Sequence, residues 1–137
     1  MTKVNGINAL EMIVKHPMKP MGMAYNGSIM MPFKKYNFLI GMRAVELGFT
    51  GMREAAVMDK WMKENGAPES GKDGKLKGWA QDPYLKHYKK GTLMNYAEQE
   101  GFDKDFPNHP LSFIRSKLKE VKASISFEEE LLNLDKF

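Results

Sequence analysis

Proline and glycine decide what this chain can fold into, because the stretches between them are short. Pro17, Pro20, Gly22, Gly27 and Pro32 crowd the N-terminal quarter, and Gly48, Gly66, Gly78, Gly91 and Gly101 recur beyond it. Proline fixes φ and removes a backbone donor, while glycine favours turns and helix ends. What remains is a series of short elements joined by extended connectors. In 137 residues these suffice for one domain with its own core. The fold class read from the pattern is mainly α: five to six short helices with extended Pro/Gly-rich connectors and one small β-hairpin near residues 21–31. Residues 1–137 form a single domain, and a subdomain boundary, if there is one, falls in the 67–78 loop.

The helices are placed by apolar spacing. Ile7, Leu10, Ile13 and Val14 recur at helical intervals, and Pro17 closes that segment. Asn26-Gly27 is a strong turn dipeptide, which suggests a hairpin from Met21–Tyr25 and Ser28–Met31. Phe33, Tyr36, Ile40, Ala44 and Leu47 form a stripe that predicts a long helix, with Gly48 at its C-terminal cap. A second helix runs from Gly51 to Glu64 and is stopped by Asn65-Gly66. Further helices are expected after Asp82-Pro83, from Thr92 to Glu100, and from Pro110 to about Lys122. A last one follows Ser124 or Ser126, with Glu128, Glu129 and Glu130 in its first turns and Leu131, Leu132, Leu134 and Phe137 in contact with the rest. The turn between the Phe33–Leu47 and Gly51–Glu64 segments also fits a helix-turn-helix, in which Arg53, Lys60 and Lys63 are the basic residues of the second helix.

Composition and spacing argue against several functions. With no cysteine, the chain has neither a disulfide framework nor thiol catalysis. Its three histidines, His16, His87 and His109, form no close pair, so no metal and no cofactor is expected. Lys75 follows Gly74 but precedes Leu76, which breaks the phosphate-loop pattern. Asp103 and Asp105 lack the rest of a calcium loop. His109 stands at a helix start, where a structural hydrogen bond is the expected role. No catalytic residue is assigned, and the chain is not expected to be an enzyme. No apolar run is long enough to span a membrane, and the N-terminus lacks the pattern of a signal peptide. The expected location is cytoplasmic or virion-associated, not secreted.

The net charge is +4, but it is arranged in alternating blocks. Residues 72–90 carry six lysines against Asp73 and Asp82, whereas residues 98–105 carry Glu98, Glu100, Asp103 and Asp105 against Lys104. Alternating blocks suit a partner of mixed sign better than one nucleic-acid groove. The basic stretch nevertheless interleaves lysines with aromatic rings, a pattern that holds single strands by stacking and phosphate contact. The nucleic-acid candidates are Arg53, Lys72, Lys75, Lys77, Lys86, Lys89 and Lys90.

Methionine is the other unusual feature, with twelve in the chain, among them Met18, Met21, Met23, Met30 and Met31. Methionine adapts to irregular contacts, so these five, with Trp79, Tyr84 and Tyr88, are the protein-contact candidates. The competing reading is that they cover the chain's own core. The expected role is a small non-catalytic interaction protein. It is either a structural subunit of a larger assembly or a viral accessory factor acting on a host complex, with a protein partner or a second copy. Nucleic-acid binding through residues 72–90 is the alternative.

Overall fold

The computed structural model describes residues 1–71, 76–85, 87–88 and 90–134. Asn5 and Gly6 both take positive φ, 44° and 82°. A pair of this kind forms the two-residue turn whose twist matches antiparallel strands. It returns β1 (Thr2–Val4) onto β2 (Ile7–Pro17), with Val4 opposite Ile7. β2 pairs antiparallel with β3 (Met23–Pro32), and β3 pairs antiparallel with β4 (Asn37–Val45). The result is a four-stranded meander in sequence order.

Alternation along the strands sends Ile7, Ala9, Tyr25, Ile29 and Met31 to one face. There they join Val4 and Phe33 in the core, and α2 (Pro110–Ser124) closes it with Leu111, Ile114 and Leu118. Gly27 lies on β3 beneath this helix. A Cβ at that position would sit 2.5 Å from Ile114 Cγ2 and 3.1 Å from Leu118 Cδ1. The glycine therefore allows the helix to lie close against the sheet.

A smaller layer stands beside this sandwich. α1 (Met52–Asn65) packs near a two-stranded sheet of β5 (Ala80–Gln81) and β6 (Met94–Asn95). Two 3-10 turns follow, Tyr96–Glu98 and Glu100–Phe102. Trp61, Trp79, Tyr96 and Phe102 form a series of ring contacts with centroids 6.2, 6.2 and 5.7 Å apart. The short α3 (Glu129–Leu132) ends the described chain. No helix among the described residues is long and apolar enough to cross a membrane.

The fold is thus a mixture of α and β, with three α-helices among the described residues, and the expectation of a mainly α chain of five to six helices is corrected. The segment around Ile7–His16 is strand β2, and most of Phe33–Leu47 is strand β4. Asn26-Gly27 lies inside β3, so the hairpin expected near 21–31 is one continuous strand. Thr92–Glu100 contains β6 and a 3-10 turn. The helix-turn-helix falls with its first helix. The Gly51–Glu64 and Pro110–Lys122 segments are helical, as α1 and α2. The physical reason for the errors is that β2 and β4 carry apolar residues on both faces. Two apolar faces blur the period of two and leave chance matches at helical spacing.

Candidate functional site

The face of the meander turned away from α2 is open. The register aligns Leu10, Met30 and Leu39 in one row across three strands. Met12 stands beside Ser28 and Gly41 in the next row, and Val14 beside Asn26 and Arg43 in the one after it. Leu10, Met12, Val14 and Leu39 are all exposed, Leu39 at 66%. β4 is also an outer strand, with β3 as its only strand partner among the described residues. The Glu46 N–H donates to the Met23 carbonyl at 2.9 Å, and the Phe33 N–H to the Tyr36 carbonyl at 2.8 Å. These two bonds set the alternation of the ladder. The amides of Phe38, Ile40, Met42 and Ala44 point to β3, and those of Leu39, Gly41 and Arg43 point outward. Arg43 is the one charged residue of the strand. A strand this long and apolar, with open backbone groups, is a template for pairing.

A polar cluster lies where the end of β4, α1 and the start of α2 meet. The Glu46 carboxylate accepts the Met23 N–H at 2.8 Å and the Gly51 N–H at 3.1 Å, tying β3 to the start of α1. His109 caps α2, its Nδ1 accepting the Leu111 N–H at 3.2 Å. Its ring meets the Tyr25 ring edge-on, with centroids 5.5 Å apart. Glu98 accepts from Lys15 Nζ at 2.5 Å and from the Asn95 N–H at 2.8 Å, with the Tyr25 hydroxyl at 3.4 Å. Burial pushes the Tyr25 phenol well above its ordinary range, and Glu98, Glu54 and Glu46 add to the effect. Burial holds the His109 imidazole below its usual value. Glu54 opposes this, Arg53 reinforces it and Glu46 opposes it. Buried charge of this density is tolerated only when paired or hydrogen-bonded.

The sequence candidates separate in space. Arg53 is 1% exposed. Its guanidinium donates to the Ala97 and Gln99 carbonyls, to Ser112 Oγ and to Asp103 Oδ1, so it faces no solvent. Asp103 also accepts from Arg115 at 2.9 Å. Lys77 is exposed and paired with Glu69 at 2.7 Å, and Lys90 is exposed. Lys72, Lys75, Lys86 and Lys89, like Phe137, lie outside the described residues. Trp79 is half-buried between Trp61 and Tyr96, whereas Tyr84 is 91% exposed and Tyr88 is exposed. Met31 is in the core and Met23 packs against it. Met30 lies half-buried on the open sheet face, Met18 is half-buried and Met21 is exposed.

Sequence reasoning missed the open face because Leu10, Val14 and Leu39 were assigned to helices. A period of two through Ile7, Ala9, Glu11 and Ile13 was the available signal. It missed the polar cluster because Glu46, Glu54 and His109 are far apart and form no motif. Comparison with family models, with curated proteins and with solved structures finds no match.

Proposed function

We propose that this chain is a small non-catalytic interaction protein that associates with a second copy of itself through β4. The bare outer strand beside an open apolar face carries this reading. Strand addition takes its affinity from main-chain hydrogen bonds and its register from the side chains. Gly41 is the middle residue of Asn37–Val45, and a Cβ added to it would meet nothing within 4 Å. A two-fold antiparallel pair centred on Gly41 sets Leu39 opposite Arg43 of the second copy. The two arginines then stand about 13 Å apart along the pair, farther than charges act strongly in physiological salt. The outward amides of Leu39, Gly41 and Arg43 all find partners, and the open faces of the two sheets become one surface.

Sedimentation velocity over about two decades of protein concentration tests the reading, since association must follow mass action. The wild-type chain is expected to shift towards a dimer as concentration rises. Leu39→Lys sets lysine against the second copy's arginine and should abolish the shift. Leu10→Lys changes the same face far from the edge and should keep it. Loss in both variants would point to stacking of faces instead of strand pairing. A monomer at every concentration would remove the self-association reading. Nucleic-acid binding remains the alternative, with Lys77, Lys90, Tyr84 and Tyr88 as its exposed residues. A salt-dependent titration against mixed-sequence RNA and DNA separates the two.

A further inference from the structure

Three side chains from separate parts of the chain converge in the polar cluster. Glu46 follows β4, Glu54 is in the first turn of α1, and His109 precedes α2. One ligand atom from each lies within 4.8 Å of the other two. The Glu46 and His109 side chains are each 8% exposed. His109 Nε2 stands 3.5 Å from Glu46 Oε1 and makes no hydrogen bond, and Glu54 Oε2 is buried without a partner. Ionised carboxylates only accept, so they cannot satisfy one another. The basic groups of this region are engaged elsewhere, Lys15 with Glu98 and Arg53 with Asp103. A buried carboxylate oxygen and a buried imidazole nitrogen thus share a small space with a second carboxylate, and no group among the described residues bridges them.

We propose that Glu46, Glu54 and His109 bind one divalent transition-metal ion. The donor set selects its class. Imidazole favours zinc or iron, carboxylates admit manganese, and the mixture disfavours magnesium and calcium. Three protein ligands leave a position for water or another small ligand. Two clefts border the cluster. A cleft of about 230 Å³ is lined by Glu46, Glu54, Asn95 and Glu98, and another of about 470 Å³ by Glu46, Arg53 and His109. Asn95, whose Oδ1 is also buried and unpartnered, is among the residues that line the first cleft.

The histidine imposes one condition. Its Nδ1 accepts the Leu111 N–H, which puts the ring proton on Nε2. A metal on Nε2 displaces that proton, the ring takes one up at Nδ1, and the cap on α2 is released. Metal binding is therefore coupled to loosening of the first turn of α2.

Calorimetric titration of the full chain with zinc and with manganese tests the site, with thermal unfolding as a second readout. One ion per chain is expected, and a rise in melting temperature with it. Glu54→Gln should weaken binding by roughly tenfold or more. His109→Asn keeps a capping side chain while removing the imidazole, and it should weaken zinc more than manganese. Circular dichroism establishes that each variant is folded. No saturable binding below about 1 mM, which corresponds to a very weak site, would overturn the proposal. Equal affinity in the wild type and both folded variants would overturn it too, because the ion would then sit elsewhere.

Discussion

Gly27 shows how one residue sets the distance between two layers. Its missing Cβ is filled by Ile114 and Leu118 of α2, so the helix rests on backbone at that point. Gly41 is a strand glycine of the opposite kind, with nothing near its Cβ position. Gly27→Ala should therefore lower stability by about 1–3 kcal/mol, the usual range for overpacking. Gly41→Ala should change it by less than about 0.5 kcal/mol. Urea unfolding at low protein concentration compares the two. Equal effects would mean that α2 is not seated on β3 at Gly27. Neither role is legible in the sequence, because an in-strand glycine and a turn glycine share the same letter. The chain holds three Asn-Gly dipeptides. Asn5-Gly6 is a hairpin turn, Asn26-Gly27 lies inside a strand, and Asn65-Gly66 ends a helix. Only the residues that pack on each one distinguish them.

The same ambiguity recurs in the elements. α1 and α2 were legible because their breakers stand at their ends: Gly51 and Gly66 flank α1, and Pro110 opens α2. β2 and β4 were not, since Leu10, Met12 and Val14 on one side interleave with Ile7, Ala9 and Ile13 on the other. The residues that obscured the strand period are the ones left open on the sheet. The β1–β2 turn gives this level its test. Asn5 holds φ at 44° and its side chain donates to the Ile125 carbonyl, linking the hairpin to the end of α2. Asn5→Ala places an ordinary side chain in left-handed backbone, at a cost of about 1–2 kcal/mol. Asn5→Gly relieves the backbone and loses only the hydrogen bond, so it should be the milder change. Thermal unfolding ranks the two. If glycine were as damaging as alanine, the hydrogen bond to Ile125 would be the main contribution.

At the scale of the molecule, one face of the meander is covered and the other is not. α2 covers the inner face, while the outer face and the β4 edge remain open together. An exposed apolar patch beside an open strand edge is the kind of surface that marks an interaction site. The buried network behind the sheet has a different effect. Arg53, Asp103 and Arg115 fix α1, the 3-10 turns and α2 against one another, so the sheet presents its open side from a rigid support. The expectation of an interaction role rests on the excess of methionine and the lack of catalytic motifs in the sequence. Neither feature says where on the molecule such a role would lie, because the open face and edge follow from strand register. Hydrogen exchange at β4, followed residue by residue at low and high protein concentration, tests the central claim most directly. The amides of Ile40 and Met42 point to β3 and should be protected throughout. Those of Leu39, Gly41 and Arg43 should exchange freely in dilute solution and become protected as concentration rises. If these three stay unprotected at every concentration, β4 is not a pairing edge and the association account is wrong.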